Sequence, residues 1–221
     1  MNTNLVIIPA RGRPKAAEEA FAALKENSTI SDFMIGLDDD DAHNYPEIEG
    51  VIREVNPRLK MNGTLNLLVN KYQDQYETIS FLGDDHRART PGWDEKLYAP
   101  IKESGYGVAY GNDLFQRKDL PTAVMMSTAI TKVLGFFAPP KLIHLYMDNF
   151  WRDLGTALDR YYYFDDVVIE HMHPFAGKGE MDAGYAEANA KEVGSHDQLA
   201  YQDYFLNQFK DDVVRIVTEL G

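Results

Sequence analysis

The chain contains no cysteine, which excludes disulfides, zinc–thiolate centres and thiol nucleophiles and ties the protein to no oxidising compartment. It also lacks any apolar run that approaches a membrane span. The apolar stretch within the opening M-N-T-N-L-V-I-I-P is too short and too early for a secretory signal, so the expected location is the cytoplasm. Basic residues are in deficit: 22 Lys and Arg stand against 35 Asp and Glu, a formal net charge of -13. That balance argues against a broad footprint on a nucleic-acid backbone or an anionic membrane, yet leaves room for a local basic pocket that takes one nucleotide. No stretch rich in Pro, Gly or Ser divides the 221 residues, and no internal repeat or low-complexity tract is visible. One well-buried domain over residues 1–221 is therefore expected.

What is present centres on residues 79–94, I-S-F-L-G-D-D-H-R-A-R-T-P-G-W-D. Ile79, Phe81 and Leu82 read as a buried strand that breaks off at Gly83, and Asp84, Asp85 and His86 follow at once. Carboxylates side by side at a strand end repel one another unless a cation lies between them, and oxygen donors of this kind suit Mg²⁺ or Mn²⁺. A solvated turn carries such a pair too. The neighbouring segments decide between the two.

Residues 5–8 form a short apolar strand that runs into P-A-R-G-R-P, an irregular loop carrying Arg11 and Arg13. Two arginines between this strand and a helix over 15–26 offer fixed positive charge to a diphosphate or a base edge. A second strand, 33–37, ends in Asp38-Asp39-Asp40-Asp41. Most of these carboxylates are solvated, and one at the strand end can accept hydrogen bonds from a nucleoside; the spacing of a calcium-binding EF-hand loop is absent. Helical spacing follows over 46–55, a short strand over 58–61, and a helix over 64–76 that leaves Asn66, Asn70 and Lys71 as polar candidates near its start. This alternation is the rhythm of a wound, largely parallel sheet, in which ligands collect at the carboxyl ends of strands.

Further on, a helix over 93–101 is followed by strands over 107–110 and 122–126, with Ser127 and Thr128 as a cap for the next helix and a loop over 135–142. From Met147, the residues Met147, Phe150, Trp151, Leu154 and Leu158 make one helical face, with Asp148 in the first turn, a common place for a cap or dipole partner. A strand over 161–170 ends in His171-Met172-His173; alternate residues of an extended segment share a face, which makes a metal-ligating imidazole credible there. Gly177-Lys178-Gly179 is a flexible loop able to close over phosphates, without the Walker A pattern. Ser195 to Gln198 fits a capping box opening one long amphipathic helix through Val217, which packs the domain or meets a partner such as a second copy of the chain.

Together, I-I-P-A-R-G-R-P, the acidic end of the second strand, F-L-G-D-D-H followed by P-G-W, the D-N-F-W helix and the late H-M-H-P resemble the GT-A glycosyltransferases, especially small forms found in bacteriophage and bacterial genomes. The likeness spans about residues 5–180. It implies an α/β fold: a wound mixed sheet flanked by helices, with a C-terminal helical extension. It also implies a nucleotide-binding half over 1–110, an acceptor-binding half over 111–180 and C-terminal helices over 181–221. For a phage protein the location becomes the host cytoplasm. In that family an Asp-x-Asp or its remnant at a strand end holds the divalent metal, Mn²⁺ or Mg²⁺, of a nucleotide-diphosphate sugar. Here Gly83 stands where the first carboxylate is usual, so Asp84 and Asp85 share the task, with Asp85 matching the metal ligand and Asp84 on the nucleotide side. Pro9, Arg11 and Arg13 match the loop that covers the nucleotide, and Asp38 the acidic residue that contacts base or ribose; Asn66 joins the nucleotide-binding candidates. Asp148 corresponds to the acidic position that serves as base in inverting members. His173, or failing it His171, matches a late metal or diphosphate ligand.

The implied reaction moves a sugar from a nucleotide-diphosphate sugar, a UDP-sugar foremost, to a hydroxyl of a protein, glycan, lipid or modified DNA base. A nucleotidyltransferase acting on a sugar phosphate would normally carry a Gly-rich basic loop with a Lys after the first strand, which R-G-R-P matches poorly. A polymerase-like palm, suggested by G-D-D, is opposed by the acidic balance and the size. A non-catalytic carbohydrate- or metal-binding module stays open, and turnover of nucleotide sugar separates it from an enzyme.

Overall fold

Leu5, Val6, Ile7 and Ile8 are all fully buried, as a strand covered on both faces requires. Side chains alternate across a strand, so Leu5 and Ile7 enter one core while Val6 and Ile8 enter another on the opposite face. These residues lie in β1 (Asn2–Ala10), near the middle of an eight-stranded sheet. The other strands are β2 (Ser31–Asp38), β3 (Val51–Asn56), β4 (Tyr76–Phe81), β5 (His86–Ala88), β6 (Val108–Asn112), β7 (Val124–Ser127) and β8 (Tyr161–His171), in the spatial order β3-β2-β1-β4-β7-β6-β8-β5. The computed structural model describes residues 1–179 and 181–221. Glu180, the expected end of the acceptor-binding half, lies outside the described residues.

β1 to β4 pair in parallel, β7 runs antiparallel to both β4 and β6, β8 is parallel to β6, and β5 is antiparallel to β8. Six strands therefore point one way, and their carboxyl ends gather along one edge. Helices α1 (Pro14–Asn27) and α3 (Trp93–Ser104) cover one face through Phe21, Leu24, Trp93 and Leu97. The other face is covered by α2 (Lys60–Tyr72), α4 (Thr128–Leu134) and α5 (Met147–Ala157), and by α7 (Lys191–Asn207) and α8 (Phe209–Leu220) stacked outside them. A short helix, α6 (Ala183–Ala188), lies between β8 and α7 in the chain. Among the described residues, no helix is long and apolar enough to cross a membrane.

The strands 5–8, 33–37 and 79–82 and the helix from Met147 appear where the pattern put them, and Ser127 caps α4 through its hydroxyl, which accepts from Ala129 N–H at 3.3 Å. Three expectations are corrected. Residues 46–55 are not helical: Val51–Asn56 is the edge strand β3, where β-branched Val51, Ile52 and Val55 favour a pleated surface. Arg53 ties that strand to the acidic loop, donating to the carbonyls of Ala42 and Tyr45. Residues 58–61 are not a strand, because α2 already begins at Lys60. Its early start packs Leu68 against Gly36, where an added Cβ would come within 2.7 Å of Leu68 Cδ1. Finally, Ser195 caps nothing: α7 starts four residues earlier at Lys191, and the expected long helix breaks at Gln208.

Candidate active site

A cavity of about 560 Å³ opens across the carboxyl ends of β1, β2, β4 and β8. Pro9 reaches it from the end of β1, and Arg11 and Arg13 from the turn that follows, where Gly12 takes a left-handed conformation (φ 71°). The acidic end of β2 folds around this turn. Asp41 accepts from Gly12 N–H at 2.7 Å, and Tyr45 Oη accepts from Arg13 N–H at 3.0 Å. Arg11 donates to Asp38 Oδ2 at 2.8 Å and grips Asp40 with both guanidinium nitrogens, and those contacts raise its pKa above the ordinary arginine value. Arg13 donates to Asp84 Oδ1 at 3.3 Å.

The turn after β4 presents the two aspartates in different states. Burial, and then the charge of Asp85, push Asp84 up to about 7. Burial would raise Asp85 too, but the hydrogen bond from His171 and the charge of that ring outweigh it and hold this carboxylate well below the ordinary range. Gly83 is where it is for a steric reason. A Cβ there would overlap Asp85 Oδ1 and meet His86 Nδ1 at 3.1 Å, so the glycine makes room for the carboxylate that follows.

His86 and His171 are directly opposed in the β5/β8 ladder, and their rings stack with centroids 4.2 Å apart. His171 Nε2 lies 3.2 Å from Asp85 Oδ2, and His86 Nδ1 lies 3.2 Å from Asp85 Oδ1. One ligand atom from each of Asp85, His86 and His171 falls within 4.8 Å of the others, the spacing a single cation requires. His86 Nδ1 accepts from Gly83 N–H at 3.0 Å, which makes Nε2 the protonated nitrogen; it faces Thr122 Oγ1 at 3.3 Å, and that hydroxyl donates to Asp113 Oδ2 at 2.8 Å. Burial and the nearby His171 keep His86 neutral. The Nδ1 lone pair and the Asp85 carboxylate are therefore two acceptors in contact, an arrangement that a bound cation relieves. His171 is raised to about 9 because Asp113 and Asp85 outweigh the effect of its burial, and its Nδ1 is a buried atom without a hydrogen-bond partner. One carboxylate with two imidazoles fits a divalent transition ion, and suits Mn²⁺ better than Mg²⁺, which prefers oxygen.

Asp148, half-buried, lines the cavity with Met147 and Trp151. Burial raises its pKa, which strengthens it as a proton acceptor. The loop leading into α5 is clamped from α7: Asp197, fully buried, accepts from the backbone N–H groups of Ile143, His144 and Leu145 at 2.9, 2.9 and 2.7 Å.

Of the residues expected here, Pro9, Arg11, Arg13, Asp38, Asp84, Asp85, Asp148, His171 and His173 all line the cavity. Asn66 does not. Its amide accepts from Phe137 and Ala138 N–H and donates to the Ala138 carbonyl, so it organises the loop after α4 and is corrected from a nucleotide contact to a structural residue. His173, the first choice as metal ligand, stands outside the Asp85–His86–His171 trio. Its ring stacks on Phe115 at 5.4 Å, and its Nδ1 accepts from Phe175 N–H at 3.1 Å. His86, Asp113, Arg58, Lys60 and Tyr185 were not foreseen. The D-D-H run carried a signal for His86, whereas Arg58 and Lys60 were hidden by misreading their segment as a strand.

No protein-family model matches the chain, and no curated protein sequence matches it. Solved structures do. Staphylococcus aureus TarS 1-349 aligns over 93% of this chain and 75% of its own, with a TM-score of 0.54 and 14% identity. This chain spans 45% of a longer TarS chain. A mannosyltransferase from Pyrobaculum calidifontis, solved with GDP-Man and Mn²⁺, aligns over 97% of this chain and 73% of its own (TM-score 0.53, 11% identity). Glucosyl-3-phosphoglycerate synthase from Mycobacterium tuberculosis, solved with Mn²⁺, UDP and phosphoglyceric acid, aligns over 90% of this chain and 78% of its own (TM-score 0.56, 12% identity). The sheet order, the flanking helices and these alignments agree: this chain has the GT-A fold.

Proposed function

We propose that the chain is a metal-dependent glycosyltransferase that moves a sugar from a nucleotide-diphosphate sugar, a UDP-sugar in the first instance, to an acceptor hydroxyl. The observation that carries this reading is the convergence of two arginines, the Asp85–His86–His171 trio and a half-buried carboxylate, Asp148, on one cavity from distant parts of the chain. Solved neighbours of the same fold hold GDP-Man or UDP together with Mn²⁺. In this reading the reaction takes place in the cytoplasm, that of the host for a phage protein.

In this reading Asp85 and His171, with His86 beside them, would hold Mn²⁺, which would supply charge neutralisation for a departing diphosphate. Asp38 receives the nucleoside, and Pro9, Arg11 and Arg13 line the path of the phosphates. Asp148 accepts the proton of the acceptor hydroxyl as its oxygen bonds to the anomeric carbon. The bond from that carbon to the phosphate oxygen breaks, and its electron pair leaves with the nucleoside diphosphate.

Thermal shifts across a panel of nucleotide sugars with Mn²⁺ identify the donor, because a ligand that binds the folded state raises apparent stability by mass action. Asp85→Ala is expected to abolish Mn²⁺-dependent nucleotide binding, and Asp148→Ala to spare binding while removing transfer. Nucleotide binding that survives both chelation and Asp85→Ala would take the metal out of the reaction.

A further inference from the structure

Among the described residues, each lysine and arginine in the cavity already ends on a carboxylate of the chain itself, and three of these four end on one short segment. Asp182 grips Arg13 with both oxygens, each 2.6 Å from a guanidinium nitrogen. Glu187, five residues on, accepts from both Arg58 and Lys60 through one oxygen. Between them Tyr185 donates its hydroxyl to Asp85 Oδ2, and the Arg13 guanidinium lies 3.9 Å over the Tyr185 ring. The segment thus touches both the cations and the central carboxylate of the trio.

Two features make this occupancy displaceable. No side chain of α6 is fully buried, so the segment has no foothold in either core. Its anchors are ion pairs of half-exposed carboxylates, and pairs of that kind are individually weak. A diphosphate brings two adjacent anionic groups with several acceptor oxygens, a closer match to a guanidinium fork than two carboxylates on separate residues. Lys60 also stands in a left-handed backbone conformation (φ 62°) that a residue with a Cβ seldom adopts, and this aims the start of α2 at the cavity.

We propose that Arg13, Arg58 and Lys60 form the cradle for a diphosphate, and that Asp182 and Glu187 fill it as an internal anion until the diphosphate displaces them and draws Tyr185 off Asp85. The proposal rests on the nucleotide-sugar reading of the same cavity. It adds two binding residues, Arg58 and Lys60, and a reason for the site to stay closed without donor.

The test uses inorganic pyrophosphate with Mn²⁺ as the probe, titrated calorimetrically into the wild type, Asp182→Asn/Glu187→Gln and Arg58→Ala/Lys60→Ala, with circular dichroism melts to verify folding. Removing the two carboxylates is expected to tighten pyrophosphate binding about tenfold, the combined effect of a few weak ion pairs. Removing the two cations is expected to weaken it by a similar factor. Amide exchange of residues 183–188 without any ligand is expected to be faster in Asp182→Asn/Glu187→Gln than in the wild type. Unchanged or weaker pyrophosphate binding by Asp182→Asn/Glu187→Gln, or no binding by any of the three proteins, overturns the proposal. Tighter binding in a protein that consumes no nucleotide sugar upholds the cradle and removes the glycosyltransferase reading instead.

Discussion

Gly83 shows how one residue decides what its neighbours can do. In the sequence it looks like a lost ligand, the first carboxylate of an Asp-x-Asp pair. In the structure it is the space that Asp85 and His86 occupy. Gly83→Asp is therefore expected to weaken Mn²⁺ binding by about tenfold or more, as disturbance of supporting residues around a metal does; calorimetric titration that finds equal or tighter binding would refute the steric account. Asp94 plays a comparable part away from the cavity. Its carboxylate accepts from Ser28, Ser31 and the backbone N–H groups of Thr29 and Ile30. Burial alone would raise its pKa, but these bonds win and hold it below the ordinary value of 3.8. The unfolded chain then binds a proton before the folded one does. The stabilisation is complete above that ordinary value and is lost as pH falls toward the lower folded value. Asp94→Asn is expected to cost about 2 kcal/mol at neutral pH, and urea unfolding at successively lower pH should show the gap to wild type closing in the acid range.

At the scale of elements, strand ends were legible and connections were not. Continuous apolar runs announced β1, β2 and β4, and the turn chemistry after each announced the charged loops. The position of Arg11, Arg13, Asp38, Asp84 and Asp85 at strand ends follows from that pattern, and their expected roles from the family resemblance. β3 was missed because an edge strand with one polar face, V-I-R-E-V-N, also satisfies helical spacing, and tertiary pairing with β2 decides the matter. The D-D-H run marks His86 as a candidate, but its pairing opposite His171, a relation across 85 positions, is one that no local pattern encodes. Asp197 carries no local signal of its own, yet it holds three amides of a loop far away in sequence. Asp197→Ala is expected to destabilise the fold by about 2 to 3 kcal/mol, since buried N–H groups lose their acceptor, and, on the proposed activity, to lower transfer more than nucleotide binding. Denaturant unfolding and steady-state kinetics separate the two effects.

The whole molecule is one sheet with two cores, and the larger core is closed by the last two helices. Tyr201, Tyr204, Phe209 and Ile216 all belong to it. Ile216→Ala is expected to cost about 3 kcal/mol for a fully buried aliphatic, whereas Leu206→Ala, 80% exposed on the same pair of helices, should stay within about 0.5 kcal/mol. Chemical denaturation of the two variants checks whether α7 and α8 are part of the folding unit or an attachment. The overall class was readable from the alternation of strand and helix, but the reversal of β7 and β5 was not, because direction is set by which edges remain open when each strand arrives. The Asp197 clamp adds an order of events. Translation runs from the N-terminus, so the ribosome releases the loop at 143–145 well before the carboxylate that fastens it. A nascent chain can assemble the central strands and their acidic turns early, yet the cavity wall at 143–145 has no acceptor for its amides until α7 emerges.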